Sequence, residues 1–283
     1  MPSRNAATAP IGVFDSGIGG LSVMAALRRE LPDERFVYIG DAGHAPYGER
    51  DTAHVLQRSQ RLADYLCTAH QAKALVLACN TATAAAVASL RERYPALPIV
   101  GIEPALKPAA AQTTSGVVAV MATRSTLASD KFLALVRTQP RTVRFLLQAC
   151  DGLAAAIEQA DRHAIESLSQ AYVNALVRQA PGETLIDTVV LGCTHYALIS
   201  DTLARLWGPQ VTLLDAGQPV ARRTRQVLQA AELLCPASPE SRSEAARAPL
   251  VCLSTGDPTG LERALQDWHV GEPAVTACAL DLA

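Results

Sequence analysis

Two short segments of the chain share one pattern, and this pattern constrains the fold more than any other feature of the sequence. Each has an apolar run, a small residue, a cysteine and then polar residues; the segments are Leu75–Thr81 and Val189–His195. Such an apolar run predicts a strand that is buried on both faces of a parallel sheet. Cys79 and Cys193 would then lie where a strand ends and a helix begins, which is where parallel α/β sheets bind ligands.

The match between the two segments favours a shared chemical role over two separate structural ones. For either cysteine alone, a small buried residue at a strand end is the simpler interpretation. Two matched halves would each deliver one thiol to a shared cleft. Two thiols that face one carbon atom suit the removal of a proton from one face and the return of a proton to the other.

The residues that follow each cysteine predict the start of a helix. Asn80 and Thr81 are good N-cap residues and precede a helical run, while Thr194 and His195 follow Cys193 in the same way. The positive end of a helix dipole favours the thiolate form of a cysteine at this position.

Apolar runs alternate with helix-like segments along the whole chain, which predicts parallel sheets with right-handed crossovers. We expect two pseudo-symmetric three-layer α/β domains with mainly parallel sheets and the active site in the cleft between them. The first domain would comprise residues 1–102 plus 211–283, and the second residues 103–210. Predicted strands are Ile11–Phe14, Phe36–Ile39, Leu75–Ala78, Ile99–Ile102, Val117–Met121, Val143–Leu147, Val189–Gly192, Val211–Leu214 and Leu250–Ser254. Predicted helices are Leu21–Leu31, Thr52–His70, Thr81–Tyr94, Thr126–Arg137, Ala164–Arg178, Leu198–Trp207 and Pro219–Leu234, and Pro236–Pro249 reads as an exposed loop.

Composition excludes several classes of function. The net charge of −2 over 283 residues gives no excess of positive charge that would attract nucleic acid or an anionic membrane. No apolar run approaches the roughly 20 residues of a membrane span, and the first ten residues lack a signal peptide, so we predict a cytoplasmic protein. The chain is large and has no export signal, so a disulfide framework is not expected for its seven cysteines. They form no C-x-x-C pair, no metal site is expected, and Cys193 with His195 is weak evidence for zinc.

Two further loops follow predicted strands. Asp15–Gly20 is rich in glycine but is not a dinucleotide fingerprint, because Ser22 stands where the last glycine would be needed. It suits either a tight turn or an anion site. Asp41–Arg50 is polar and suits either a surface loop or a functional one. Lys73 precedes a strand, on the wrong edge of the sheet for a Schiff base, which argues against pyridoxal phosphate.

Taken together, these residues resemble the cofactor-independent aspartate/glutamate racemase superfamily and, within it, the glutamate racemases. The Thr-His pair after Cys193 indicates the glutamate branch, because aspartate racemases usually carry Glu where His195 stands. The chain departs from the family pattern at Asp151 and Ala197, where members of the family usually have proline. The matching segments are Gly12–Ser22, Pro46–Gly48, Ala78–Ala82, Gly101–Pro104, Leu191–Tyr196 and Ser254–Pro258.

The resemblance implies an isomerase that interconverts L- and D-glutamate without cofactor or metal and supplies D-glutamate for bacterial peptidoglycan. It implies that Cys79 and Cys193 are the two acid/base residues, with Cys79 acting on D-glutamate and Cys193 on L-glutamate. Asp15, His195 and Glu158 would support the thiols. Substrate-binding positions would be Asp15, Ser16, Tyr47, Gly48, Asn80, Thr81, Thr123, Thr194 and His195.

Other functions remain open at this point. Paired thiols would also serve a racemase of aspartate or a hydantoin. A non-catalytic amino-acid-binding protein would leave the matched cysteines unexplained, and a nucleotide-binding α/β protein would need the glycine motif that Ser22 breaks. No nucleic-acid or membrane partner is expected, and the sequence leaves the oligomeric state open, with a homodimer as one option.

Overall fold

A computed structural model describes residues 4–180, 182, 185–236, 250–267 and 277–282 of the chain. The predicted loop Pro236–Pro249 lies outside the described residues except for Pro236. The strands are β1 (Ile11–Asp15), β2 (Phe36–Gly40), β3 (Ala74–Leu77), β4 (Ile99–Gly101), β5 (Val117–Ala122), β6 (Arg144–Ala149), β7 (Thr188–Leu191), β8 (Thr212–Leu214), β9 (Leu250–Ser254) and β10 (Ala277–Ala279). The helices are α1 (Arg4–Thr8), α2 (Leu21–Glu30), α3 (Thr52–Ala69), α4 (Asn80–Arg93), α5 (Leu106–Gln112), α6 (Arg124–Ala128), α7 (Asp130–Arg137), α8 (Leu153–Glu158), α9 (Arg162–Gln179), α10 (Thr194–Ala197), α11 (Ser200–Trp207), α12 (Gly217–Ala230) and α13 (Thr259–Asp267).

The predicted strands are confirmed to within two residues at each end, because buried apolar runs are an unambiguous signal. The short edge strand β10 was not predicted. The predicted helix Thr126–Arg137 is wrong in one respect: it is two helices, α6 and α7, separated at Ser129. Ser129 Oγ accepts a hydrogen bond from Phe132 N at 3.2 Å and so caps the second helix. The predicted helix Leu198–Trp207 likewise begins two residues later, at Ser200, and is preceded by the short helix α10.

The chain divides into two compact units, and the first comprises residues Met1–Ile102 and Gly217–Ala283. Its six strands pair in the order β10-β9-β2-β1-β3-β4, and all pairings are parallel. The central strands β1, β2 and β3 are buried along their whole length, since helices cover both faces of the sheet. On these faces α2 packs against α12 and α3 packs against α4.

The second unit, Glu103–Ala216, carries a four-stranded parallel sheet in the order β6-β5-β7-β8. The sequence predicts a boundary after residue 210, and the second unit of the structure extends to Ala216. The reason is strand β8, which pairs with β7 from Thr188↔Thr212 to Val190↔Leu214. In each unit the cysteine of the repeated motif directly follows a central strand: Cys79 comes after β3 and Cys193 after β7.

None of the described helices combines the length and the hydropathy that a membrane span requires.

Candidate active site

In the first unit, Cys79 is the N-cap residue of α4 and is buried, with 5% of its surface exposed. Its Sγ accepts a hydrogen bond from Ala82 N at 3.5 Å, and Ser16 Oγ lies 3.9 Å from the same sulfur. A backbone donor in the first turn of a 14-residue helix and the helix dipole both favour negative charge on this sulfur. The extended backbone of β3 therefore ends by presenting Cys79 to the start of α4.

Asp15 ends the neighbouring strand β1 and is fully buried. Its Oδ2 accepts a hydrogen bond from Gly20 N at 2.7 Å. A side chain at position 20 would place its Cβ only 2.7 Å from Asp15 Cβ and 3.1 Å from Ala78 Cβ, so glycine is required there. The glycine-rich turn after β1 thus holds the Asp15 carboxylate beside the end of the strand that carries Cys79.

Tyr47 and Gly48 lie in a 3₁₀ turn, Tyr47–Glu49, which follows the cis peptide bond Ala45-Pro46. Tyr47 is 1% exposed, and its hydroxyl donates a hydrogen bond to Asp41 Oδ2 at 2.5 Å. The tyrosine ring belongs to the same apolar cluster as Cys79, and the turn packs against α4. The turn and the cysteine are therefore neighbours in the folded first unit.

Asn80 and Thr81 form the first turn of α4 and are both buried. Asn80 Oδ1 is buried and has no hydrogen-bond partner among the described residues. Because an unsatisfied buried amide oxygen is costly, such an atom at a predicted substrate position indicates an acceptor for a ligand.

In the second unit, Cys193 begins a chain of three polar side chains. Its Sγ lies 3.7 Å from His195 Nδ1, and His195 Nε2 lies 2.5 Å from Glu158 Oε1. Cys193 directly precedes the short helix α10, His195 follows in its first turn, and Glu158 is the last residue of α8. Cys193 and His195 are buried, and the side chain of Glu158 is 15% exposed.

Burial alone would lower the pKa of His195, but its hydrogen bonds to Cys193 and Glu158 outweigh burial and raise the pKa well above the usual value of 6.5. The raised pKa favours the imidazolium form of His195. A cation next to a cysteine sulfur favours the anionic form of that sulfur. This arrangement can hold a negative charge on Cys193 or deliver a proton to it.

Thr123 directly follows β5, the strand that pairs with β7 in the second unit. Its Oγ1 accepts a hydrogen bond from Thr126 N at 3.2 Å and so caps α6. The ends of the two strands approach closely, since a Cβ on Gly192 would lie 2.9 Å from Ala122 Cβ. Thr123 and Cys193 thus share the carboxyl edge of this sheet, where Thr194 is also buried.

Reasoning from the sequence missed several residues that support these groups. Asp41, Arg58 and Thr255 form a buried cluster behind Tyr47. Asp41 and Thr255 each follow a predicted strand, which was an available signal, whereas Arg58 lies within α3 and gave none. Cys150 was also missed; burial raises its pKa and proximity to Cys193 raises it further, while its carbonyl accepts a hydrogen bond from Tyr196 Oη at 3.3 Å.

The remaining candidates for special chemistry have structural roles. Lys73 pairs with Glu34 at 2.5 Å in a buried ion pair. Within the described ranges, no group of three or more His, Cys, Asp or Glu side chains is arranged to hold a metal ion. The seven cysteines are free thiols.

Comparison with known proteins identifies the family of this chain. The model of the Asp/Glu/Hydantoin racemase family matches residues 11–224. A glutamate racemase of Ectopseudomonas mendocina is 49% identical over 81% of this chain and 86% of that protein. One of Pseudomonas putida is 46% identical over 93% of this chain and 95% of that protein.

Solved structures show the same fold. A glutamate racemase isoform, RacE1 from Bacillus anthracis, has a TM-score of 0.82 and 28% identity, covering 97% of this chain and 98% of that one. The Escherichia coli glutamate racemase in complex with L-glutamate and the activator UDP-MurNAc-Ala has a TM-score of 0.79 and 29% identity, covering 97% of this chain and 99% of that one. The family model matches three quarters of the chain, and almost half of the aligned residues are identical in these relatives. This chain therefore belongs to the Asp/Glu/hydantoin racemase family.

Proposed function

We propose that this protein interconverts L- and D-glutamate, with Cys79 and Cys193 as the two acid/base residues. The observation that carries the proposal is the pair of strand-end cysteines, each placed beside groups that favour a thiolate. Membership of a racemase family supports a common reaction for these two thiols. The names of the relatives, and the L-glutamate bound in the E. coli structure, support glutamate as the substrate.

The reaction requires two groups because inversion at a carbon needs a proton removed from one face and another added to the opposite face. We assign Cys79 as the base for D-glutamate and Cys193 as the base for L-glutamate. In either direction one cysteine starts as a thiolate and ends as a thiol, the other does the reverse, and the C–H bond is broken on one face and formed on the other. Atoms and charge balance without a further reactant.

The α-hydrogen of an amino acid is very weakly acidic, so the protein has to supply most of the driving force by positioning. Holding base and acid against one carbon atom supplies a high effective molarity. On the Cys193 side, His195 and Glu158 would stabilise the thiolate. Glu158, whose side chain is partly exposed, would let the proton exchange with solvent. On the Cys79 side, the N–H group of Ala82 and the Ser16 hydroxyl would stabilise the thiolate, and Asp15 would orient the thiol.

Polar groups around the thiols would hold the zwitterionic substrate. Asn80 Oδ1, a buried acceptor, suits the substrate ammonium group. Backbone N–H groups and hydroxyls suit the two carboxylates. The residues that we assign to substrate binding are Asp15, Ser16, Tyr47, Gly48, Asn80, Thr81, Thr123, Thr194 and His195.

The biological role that we propose is the supply of D-glutamate for bacterial peptidoglycan. A cytoplasmic location stays a prediction from the sequence, and a homodimer stays one option for the oligomeric state. Sedimentation of the purified protein with and without glutamate would establish the oligomeric state.

One experiment tests the proposed reaction directly. Pure protein, treated with a chelator and without added pyridoxal phosphate, is incubated with L-glutamate in deuterated water, and optical rotation is followed together with the α-proton NMR signal. We expect the rotation to decay to zero while the α-proton signal disappears. Loss of activity on chelation with return only after metal addition would contradict the proposal, and faster turnover of aspartate than of glutamate would reassign the substrate.

A further inference from the structure

A buried cluster of charged and polar side chains lies behind Tyr47, and the reaction as described does not use it. Asp41 is fully buried and accepts hydrogen bonds from Tyr47 Oη at 2.5 Å and from Thr255 Oγ1 at 2.6 Å. Arg58, which is 3% exposed, donates two more to the same carboxylate, from Nε at 3.0 Å and from Nη2 at 2.9 Å. We call Asp41, Arg58 and Thr255 the Asp41 cluster.

The cluster keeps its charges although it is buried. Burial alone would raise the pKa of Asp41, but the hydrogen bonds from Arg58, Thr255 and Tyr47 outweigh burial and lower the pKa. Burial and the Asp41 carboxylate together raise the pKa of the Tyr47 hydroxyl, so Tyr47 stays a hydrogen-bond donor. A buried ion pair seldom stabilises a fold more than apolar residues would, because desolvation offsets its attraction. The buried Arg58–Asp41 ion pair therefore fits a positioning role better than a purely stabilising one.

Segments from four parts of the first unit meet at the Asp41 cluster. Asp41 and Tyr47 lie after β2, Arg58 lies within α3, and Thr255 follows β9. The residues after β10 complete it, since Arg58 Nη1 donates to Leu282 O at 3.1 Å. Leu280 and Leu282 also pack on the apolar cluster that contains Tyr47 and Cys79.

We propose that Arg58 is a positioning residue for substrate binding: paired with Asp41 and seated on the carbonyl of Leu282, it fixes Tyr47 and the Tyr47–Glu49 turn against Cys79. The proposal rests on the assignment of Tyr47 and Gly48 to the glutamate site. A bidentate guanidinium–carboxylate pair defines orientation as well as distance. The turn contacts substrate in the ground state and in the transition state alike, so Arg58 acts on affinity rather than on the proton-transfer step.

The first test compares Arg58→Gln with Arg61→Gln, which removes an arginine of equal charge from an exposed position one turn further along α3. Loss of hydrogen bonds to a buried carboxylate should raise KM for glutamate by about tenfold or more, with kcat changed by less than about threefold. Arg58→Lys keeps the charge without the planar fork, so its KM should lie between those of the wild type and Arg58→Gln. Arg61→Gln should leave both constants unchanged. Unchanged KM in folded Arg58→Gln, or a loss confined to kcat, would overturn the proposal.

The second test does not depend on racemase activity. Alkylation of Cys79 by iodoacetamide is followed by peptide mass spectrometry, with Cys193 in the other unit as internal reference. Release of the Tyr47 turn should expose Cys79, so the ratio of Cys79 to Cys193 alkylation should rise several-fold in Arg58→Gln and not in Arg61→Gln. An unchanged ratio would overturn the positioning role even if glutamate proved not to be the substrate. If Arg58→Gln does not fold, Thr255→Val removes one donor to Asp41 and should shift KM and the alkylation ratio in the same directions, by smaller factors.

Discussion

The surroundings of Cys79 and Cys193 differ although the sequence motifs that present them are nearly the same. Cys79 lies at the N-terminus of a long helix, with a backbone N–H and the Ser16 hydroxyl near its sulfur. Cys193 precedes a helix of only four residues without a side-chain capping hydrogen bond, and its sulfur faces the His195–Glu158 pair. The first unit thus surrounds its thiol with a helix N-terminus, the Ser16 hydroxyl and the neighbouring Asp15, and the second with the His195–Glu158 pair.

This difference suits a reaction in which the two thiols exchange roles. Dipoles fixed by the backbone favour a thiolate but cannot store a proton, whereas an imidazolium can do both. We therefore expect the two halves of the reaction to respond differently to the same kind of mutation and to pH.

The largest expected effect comes from the cysteines themselves. Cys79→Ser and Cys193→Ser should each abolish racemisation, a loss of at least about 10⁴-fold, because a serine hydroxyl is a far weaker acid and its alkoxide is scarcely populated at neutral pH. Each variant should still eliminate HX from a 3-substituted glutamate, since elimination needs only one base. The variant that keeps Cys79 should accept the D form, and the variant that keeps Cys193 the L form.

Assays of racemisation by optical rotation, and of elimination by release of the halide or other leaving group, check both points. Cys278→Ser, at an exposed position, is the control and should keep normal activity. Near-normal racemisation by either active-site variant would falsify the two-base proposal. A shared preference for one enantiomer would instead reverse or remove the assignment of faces.

His195→Gln should have the next largest effect, and it should break the symmetry between the two halves. Loss of the imidazolium should lower kcat/KM for racemisation by about 10²-fold, within the range of general acid–base contributions. Introduced into Cys79→Ser, the same change should slow elimination from the L form. Introduced into Cys193→Ser, it should leave elimination from the D form within about threefold. Equal losses in both backgrounds would show that His195 serves both thiols.

A pair of binding variants compares the residues that directly follow each cysteine. Asn80→Ala and Thr194→Ala should each weaken glutamate binding by about 1.5–3 kcal/mol, the value of a hydrogen bond to a charged group. Calorimetric titration with glutamate measures this, with Thr68→Ala as an exposed control. Asn80→Ala should also leave thermal stability unchanged, since Asn80 Oδ1 makes no hydrogen bond with the described residues. Normal glutamate affinity in either variant would remove that residue from the proposed site.

The smallest expected effect is the dependence of stability on pH, which should have opposite sign in the two units. The pKa of His195 is raised, so its contribution to the free energy of unfolding is fully present below about pH 6.5 and is lost as pH rises through the raised pKa. The pKa of Asp41 is lowered, so its contribution is present above its unfolded value of 3.8 and is lost as pH falls through the lowered pKa.

Denaturant unfolding of the wild type, His195→Gln and Asp41→Asn at several pH values checks these signs. The difference between the wild type and His195→Gln should shrink toward alkaline pH. The difference between the wild type and Asp41→Asn should shrink toward acid pH. If the difference in the free energy of unfolding does not vary with pH for one of the variants, the group replaced in it does not contribute to the pH dependence of stability.

Much of the fold could be predicted from the sequence, because burial on both faces leaves a strong local signal in central strands. The runs that form β1, β3, β5 and β7 are continuous and apolar. The ends of β3 and β7 place Cys79 and Cys193 at the carboxyl ends of central strands. Short elements without such runs, such as β10 and α8, were missed. The break between α6 and α7 was missed because serine is also found inside helices. Only the hydrogen bond from Phe132 N to Ser129 Oγ shows that Ser129 caps a new helix.

The sequence by itself determined the alternating strands and helices, the position of each cysteine at a strand end and, through the resemblance, the reaction class. Only the tertiary structure decided which side chains meet. Glu158 reaches His195 from α8, and Arg58 reaches Asp41 from α3 and Leu282 from the last described segment. Periodicity along the chain records which face of an element is buried, but hydrogen-bond partners are set by the packing of elements that lie far apart in sequence.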